Sequence, residues 1–132
     1  MNPTYFTLKE ANELVPWLEE TFKSIAPLYQ RAQRLRGEIA AVEQRIRGNG
    51  GSEAGGDLHE HRHHLEQTVE LIEDQMQEVL RKGILVRDIE TGLVDFPTLE
   101  EGREIYLCWH RGEPEIGFWH EVDTGLAGRK PL

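Results

Sequence analysis

The sequence predicts an α+β protein in which a long antiparallel helical hairpin is followed by a small antiparallel sheet of about four strands. Apolar residues recur at steps of three and four through residues 7–47 and again through residues 58–82. This spacing is typical of amphipathic helices that pack as in a coiled coil. Residues 83–123 instead contain short β-rich runs separated by turn residues, which indicates strands.

The first helix is predicted over residues 7–47. It begins with the segment Thr7–Glu10, a capping box in which the Thr7 hydroxyl accepts the Glu10 N–H and the Glu10 side chain reaches back. Pro16 and Pro27 lie inside the helix, and each removes a backbone hydrogen bond. Because the apolar stripe keeps its phase across both prolines, we expect one long bent helix or two to three collinear pieces.

A flexible loop is predicted over residues 48–57, because five glycines lie within the nine residues 48–56. The second helix then covers residues 58–82, with Gly83 after its end. It is too short to cover the whole first helix. The stripe of residues 8–22 must therefore be buried on the C-terminal sheet or on a second copy of the protein.

Two β-hairpins are predicted over residues 83–123, joined by a connection at 97–102 and followed by an irregular tail at 124–132. The second hairpin is apolar on both faces, with Tyr106 and Cys108 on one face and Ile105, Leu107 and Trp109 on the other. Antiparallel sheets usually leave one face to water. We therefore expect a homodimer, with the two sheet tryptophans, Trp109 and Trp119, in the core or at its interface.

Composition and charge restrict the class of protein. The 132 residues fit a single domain, and the net charge of −9 without a basic stripe argues against binding nucleic acid or an anionic membrane surface. The single cysteine rules out an internal disulfide. With no signal-peptide pattern and no long apolar run, we expect a cytoplasmic protein.

Three segments resemble a known family. They are FTLKEANELVPWLEE, GILVRDIETGLVDFP and GREIYLCWHRGEPEIGFWHEVDTGLAGRKPL. Together they resemble the bacterial family catalogued as domain of unknown function 2203, nearly end to end, with residues 48–56 the least similar part. The resemblance implies one complete small bacterial protein over residues 1–132. It implies no activity, substrate, cofactor or functional residue.

A histidine-rich segment at residues 57–64 is the first candidate metal site. His59 and His63 are four residues apart and share a helix face, and such pairs can hold zinc or nickel. A third ligand would have to come from outside the helix. The favoured interpretation is a polar first turn, with any metal there adventitious.

The end of the sheet is the second candidate metal site. Imidazole and carboxylate groups there could hold a divalent metal or act as general acid and base; they are Asp88, Asp95, His120, Glu121 and Asp123. Cross-strand ion pairs among Asp88, Glu121 and Arg87 are the alternative. Asp95 lies in an apolar run, and a buried acid without a partner costs several kcal/mol. It must therefore meet a ligand or one of three arginines, Arg87, Arg103 and Arg129.

Two functions from different classes follow. The first is a non-enzymatic interaction or assembly protein that acts as a homodimer and can bind a further protein partner. The second is a protein that binds a metal or a small ligand at the sheet end, either as a binding protein or as a hydrolase. No cofactor is indicated beyond a divalent metal. Cys108, in an apolar run without a basic neighbour, is expected to be a small buried residue rather than a nucleophile.

Overall fold

The computed structural model of the chain describes residues 4–49 and 53–132. Two compact units are present, one with the described residues up to Lys23 together with Met76–Leu132, the other with those of Ser24–Gln75. The elements, in chain order, are α1 Leu8–Asn49, α2 Glu53–Arg81, β1 Leu85–Asp88, β2 Leu93–Glu100, β3 Arg103–His110, β4 Phe118–Glu121, a 3-10 helix Leu126–Gly128 and β5 Lys130–Pro131. The α+β class is confirmed.

Helix α1 begins with the predicted capping box. The Glu10 N–H donates to Thr7 Oγ1 at 3.1 Å, and the Thr7 N–H donates to Glu10 Oε1 at 2.9 Å. These hydrogen bonds lower the pKa of the Glu10 carboxyl, since they favour its charged form. The helix is continuous past Pro16 and Pro27, so it does not divide into collinear pieces.

The loop predicted over residues 48–57 is wrong at both ends. Helix α1 continues to Asn49 and α2 begins at Glu53, five residues before the predicted start. Each glycine costs a helix about 1 kcal/mol relative to alanine, but adding a residue to a formed helix needs no new nucleus. The amphipathic segment that follows can therefore extend backwards through Gly55 and Gly56. Residues 50–52, the middle of the predicted loop, lie outside the described residues.

The first turns of α1 pack on the sheet within the first unit. Ala11, Val15, Leu18 and Phe22 are buried, and the Phe22 ring lies 6.3 Å from that of Trp109. The sheet is therefore the surface on which the stripe is buried from Ala11 to Phe22, whereas Leu8 remains exposed. This removes one of the two reasons for expecting a second copy of the chain.

The sheet has five antiparallel strands in the order β1-β2-β3-β4-β5, one more than expected. The extra strand, β5, pairs Lys130 with Trp119 and Pro131 with Phe118. Residues 124–132 were expected to be irregular, because a two-residue strand that ends in proline carries no alternating pattern.

Strand β2 also extends further than predicted, since the expected connection at 97–102 is mostly strand. Pro97 pairs with Tyr106 of β3, and its carbonyl accepts the Phe6 N–H at 2.8 Å. Pro97 is tolerated because it lies past the end of β1, where no ladder hydrogen bond needs its missing N–H. Glu101 and Gly102 both have positive φ, 52° and 80°, as a two-residue hairpin turn requires.

The register divides the sheet residues between two faces. Val94, Phe96 and Trp109 are fully buried on the face that contacts α1. The opposite face presents four cross-strand neighbours, Asp95, Tyr106, Cys108 and His120. The predicted separation of Tyr106 and Cys108 from Ile105, Leu107 and Trp109 is confirmed. Because Trp109 is buried within one chain, the prediction that it forms a dimer interface is wrong.

The second unit is a helical pair. The apolar residues of α1 from Ile25 to Val42 and those of α2 around Ile72 are buried between the helices. On the partly exposed surface of this pair, His61 Nε2 lies 3.0 Å from Glu38 Oε2. No helix in the described residues is long and apolar enough to cross a membrane.

Candidate metal centre

Asp95 is a carboxylate buried on the sheet face opposite α1, with 2% of its side chain exposed. Its Oδ2 accepts a hydrogen bond from Arg87 Nε at 2.8 Å, and its Oδ1 lies 2.9 Å from His120 Nε2. The β1–β2 register slips between Val86 and Asp88. Arg87 is therefore a bulge residue, and bulges redirect side chains. The Asp95 carboxylate in turn raises the pKa of Arg87.

His120 has both ring nitrogens in hydrogen bonds. Nδ1 lies 2.7 Å from the carbonyl oxygen of Glu121, and Nε2 faces Asp95. A carbonyl oxygen can only accept, so Nδ1 carries a proton. A hydrogen bond between Nε2 and Asp95 Oδ1 needs one proton, which either group can supply. The Tyr106 ring meets the imidazole edge to face at 5.4 Å, which fixes its orientation.

Cys108 is the cross-strand neighbour of Asp95 and is 1% exposed. Burial raises the pKa of its thiol to about 11, because the thiolate is poorly solvated there. The prediction that Cys108 is buried is confirmed. Ligand atoms of Asp95, Cys108 and His120 all lie within 4.8 Å of one another. This grouping depends on the pairing of β2 with β3, which the predicted connection at residues 97–102 does not contain.

A cavity of about 410 Å³ opens onto these residues. Asp95, Cys108 and His120 lie at its buried floor, and Arg87 lines one side. The remaining wall consists of Leu93 and the segment Val122–Leu126. The site thus combines a polar floor with a partly apolar wall.

The structure brings together only some of the predicted sheet-end ligands. Asp95 and His120 are in contact, and Asp123 is exposed at the cavity wall. Glu121 lies on the opposite face, because neighbouring strand residues alternate. It pairs there with Arg103 Nη1 at 2.8 Å. The prediction that Glu121 shares the site is therefore wrong.

Asp88 is also engaged elsewhere. Its Oδ1 accepts the Glu90 N–H at 3.1 Å, and its Oδ2 accepts the Thr91 hydroxyl at 2.9 Å. These bonds close the β1–β2 turn, which is a common role for aspartate. The prediction of Asp88 as a ligand is wrong, and so is that of its ion pair with Arg87.

His59 and His63 lie on α2 in the second unit, where both are exposed. Across the described ranges, the grouping of three potential ligand side chains contains neither of them. The interpretation of this segment as a polar helix surface remains the simpler one. Any metal held there lacks a third ligand from the described chain.

The donor set suits a metal such as zinc. Zinc is commonly bound by cysteine sulfur, histidine nitrogen and carboxylate oxygen, and three protein ligands leave a fourth position for water or a ligand. The cavity beside the three residues has room for that water or ligand. The hydrogen bonds of the His120 and Asp95 side chains to Glu121 and Arg87 match the outer shell that orients metal ligands.

Comparison with known proteins identifies the family. The model for Uncharacterized conserved protein (DUF2203) matches residues 4–132. The chain belongs to this family. No curated protein and no solved structure matches it. The family description gives no activity or ligand, so the function of this DUF2203 member is argued from the geometry of its site.

Proposed function

We propose that the protein binds a divalent metal ion, zinc being the best fit, through Asp95, Cys108 and His120. The observation that carries the proposal is the convergence of three different ligand types, from three neighbouring strands, within 4.8 Å of one another. All three side chains are buried. Buried polar groups of this kind otherwise lower stability unless fully paired.

The hydrogen bonds around the three residues favour this use. Nδ1–H of His120 donates to a backbone carbonyl, which leaves Nε2 as the nitrogen able to coordinate. Asp95 uses Oδ2 on Arg87 and has Oδ1 available. Metal-bound histidines and carboxylates have outer-shell partners of these kinds.

The contact between His120 and Asp95 needs only a small adjustment to hold zinc. With zinc bonds of about 2.0–2.3 Å in tetrahedral geometry, ligand atoms lie roughly 3.3–3.6 Å apart. The present separation of His120 Nε2 and Asp95 Oδ1 is 2.9 Å. An ion that replaces their shared proton would therefore push the two atoms apart by about 0.4 Å.

The charges also balance. A zinc ion with two anionic ligands, from Asp95 and Cys108, and one neutral imidazole has no net charge, and metal coordination deprotonates a thiol. We further propose a cytoplasmic location, where reducing conditions keep Cys108 as a thiol. An open fourth position is typical of catalytic zinc sites, so hydrolysis of a ligand in the cavity is the reaction that this arrangement would support.

The test is metal binding by protein purified without a histidine tag. We expect close to one zinc per chain by elemental analysis, lost after chelation and regained on titration. Cobalt should give a thiolate-to-cobalt absorption band that Cys108→Ser removes and His120→Gln weakens.

The matched control is the double variant His59→Gln/His63→Gln, which removes the histidine pair on α2. It should bind zinc as the wild type does. If zinc follows the α2 histidines, or binds equally to Cys108→Ser and wild type, then Asp95 and His120 form only a structural pair and the proposal is wrong.

A second proposal, self-association, is supported by a groove of about 360 Å³ in the first unit. Trp119 and Leu8 are accessible there, with Ile105 and Leu107 at the floor. We propose that a second copy of the chain covers it. Glu100 and Arg103 both line the groove. In a twofold contact each chain's Arg103 can meet Glu100 of the other.

Light scattering tests this second proposal. We expect the mass of two chains, reduced to one in Arg103→Glu and partly restored in Glu100→Arg/Arg103→Glu. Trp119→Ala should also yield one chain, whereas Leu71→Ser, on exposed α2 surface, should not. A wild-type mass of one chain at all concentrations tested would overturn the proposal.

A further inference from the structure

The cavity wall has an exposed apolar part. Val122 and Leu126 are 48% and 54% exposed, and both line the cavity. Leu93 completes the apolar side. Exposed apolar side chains that converge on a cavity with a few polar groups at its floor are typical of small-molecule sites.

Arg87 supplies the charge of the site. It uses Nε on Asp95, and a guanidinium has further N–H donors on its other nitrogens. Its side chain is 43% exposed and lines the cavity, with its guanidinium carbon 5.2 Å from the centre of the Tyr106 ring. It is therefore held in place by two contacts while donors remain free for a ligand.

The charge that faces the cavity favours an anion. Arg87 is the one arginine or lysine among the described residues that line it, and a guanidinium presents N–H donors in a geometry that matches a carboxylate. The opposing charge of Asp123 lies on exposed wall, where water screens it.

We infer that the cavity binds a small organic acid, with its carboxylate on Arg87 and its apolar chain against Leu93, Val122 and Leu126. This inference deepens the proposed function. It rests on that proposal for one contact only, the contact between the ligand carboxylate and the open position on the metal. The cavity volume of about 410 Å³ is near the small end of ligand sites, which span about 300–1,000 Å³. A short unbranched acid is therefore the class of ligand that fits.

The experiment is calorimetric titration with hexanoate, butanoate and hexanamide, on chelator-treated and on zinc-loaded protein. Hexanoate should bind at least ten-fold more tightly than hexanamide, because a hydrogen bond to a charged group contributes more than one to a neutral group. It should bind several-fold and up to about ten-fold more tightly than butanoate, since two more CH₂ groups are buried.

Two variants locate the ligand. Arg87→Gln should abolish the preference for carboxylate over amide. Because that variant also removes a partner of Asp95, the second variant, Leu126→Ser, changes only exposed surface. It should abolish the preference for hexanoate over butanoate. Leu80→Ser, an equally exposed leucine on α2, is the matched control and should change neither preference.

The two proposals fail separately. If zinc does not bind but metal-free protein prefers hexanoate, the anion site stands and the metal centre falls. If zinc binds but both forms treat hexanoate and hexanamide alike, the metal centre stands and the anion site is wrong. Hexanoate binding that is unchanged in Leu126→Ser and Arg87→Gln would also overturn the inference.

Discussion

Coupling between Asp95 and His120 provides the sharpest test of how the buried site is held together. Both side chains are 2% exposed, and they contact each other at 2.9 Å. His120→Leu leaves a buried carboxylate oxygen unpaired, and removing one partner of a buried pair costs about 3–5 kcal/mol. Asp95→Leu leaves a buried imidazole nitrogen unpaired, at a cost of about 1–3 kcal/mol. Arg87 also loses its partner in this variant, but its side chain is partly exposed and can hydrogen-bond to water.

The double variant Asp95→Leu/His120→Leu removes both polar partners, and such a replacement can be nearly neutral. We expect its loss of unfolding free energy to be at least about 2 kcal/mol smaller than the sum of the two single losses. Urea denaturation of chelator-treated protein gives the three values, with the slope of the transition checked for each variant.

The surface pair of Arg103 and Glu121 is the comparison. Its atoms are 2.8 Å apart, but the arginine is 59% exposed, so the same cycle with glutamine at each position should give about 0.2–1 kcal/mol. A coupling of Asp95 with His120 no larger than that would refute the argument that burial makes this contact strong.

Three further predictions concern the rest of the fold. The Cys108 thiol has a pKa of about 11 in the folded protein, against an ordinary value of 9.0. Its contribution to the free energy of unfolding is therefore complete below pH 9 and is lost as the pH rises through 11. Urea denaturation across that range should show wild type losing on the order of 2 kcal/mol more than Cys108→Ala. Gly83→Ala should lower the melting temperature more than Gly102→Ala. Both glycines have positive φ, but only at Gly83 would the new Cβ lie 2.6 Å from another atom, Cβ of Thr4; equal effects would show that this contact relaxes at no cost. Phe22→Ala should cost about 3–5 kcal/mol in urea denaturation if α1 packs on the sheet as described, and a loss below about 1 kcal/mol would contradict that packing.

Helix positions were predictable because their signal is repetitive. The three-four spacing and the Thr7–Glu10 capping box placed α1 correctly, and the burial of its first turns on the sheet was one of two stated alternatives. The predicted start of α2 lies five residues after the observed one. The end of a helix depends on a small difference between the free energy gained by extending the helix and the free energy lost at each glycine. Such differences do not appear in a hydrophobic pattern.

The candidate site was predictable only in part, and the missing information was strand register. Asp95 was singled out because a carboxylate in an apolar run needs a partner, and Arg87 is that partner. Cys108 could not be placed beside it without pairing β2 with β3. Pro97 concealed that pairing, because proline ordinarily ends a strand.

Glu121 is a second residue whose place could not be predicted without the geometry of the strand. It follows His120 directly in the sequence, but adjacent strand residues face opposite ways. The order of residues along the chain therefore suggests that Glu121 shares the site with His120, but the alternation of side chains along the strand places it on the other face.

The order in which the three proposed ligands, Asp95, Cys108 and His120, occur along the chain has a kinetic consequence. They lie on consecutive strands of a meander, only 13 and 12 residues apart (108 − 95 and 120 − 108). Asn12 and Ile116, whose hydrogen bond ties α1 to the sheet, are separated by 104 residues. Contacts of short sequence separation form before those that close long loops. The three ligands can therefore come together while α1 is still undocked, and a bound ion should speed refolding as well as slow unfolding.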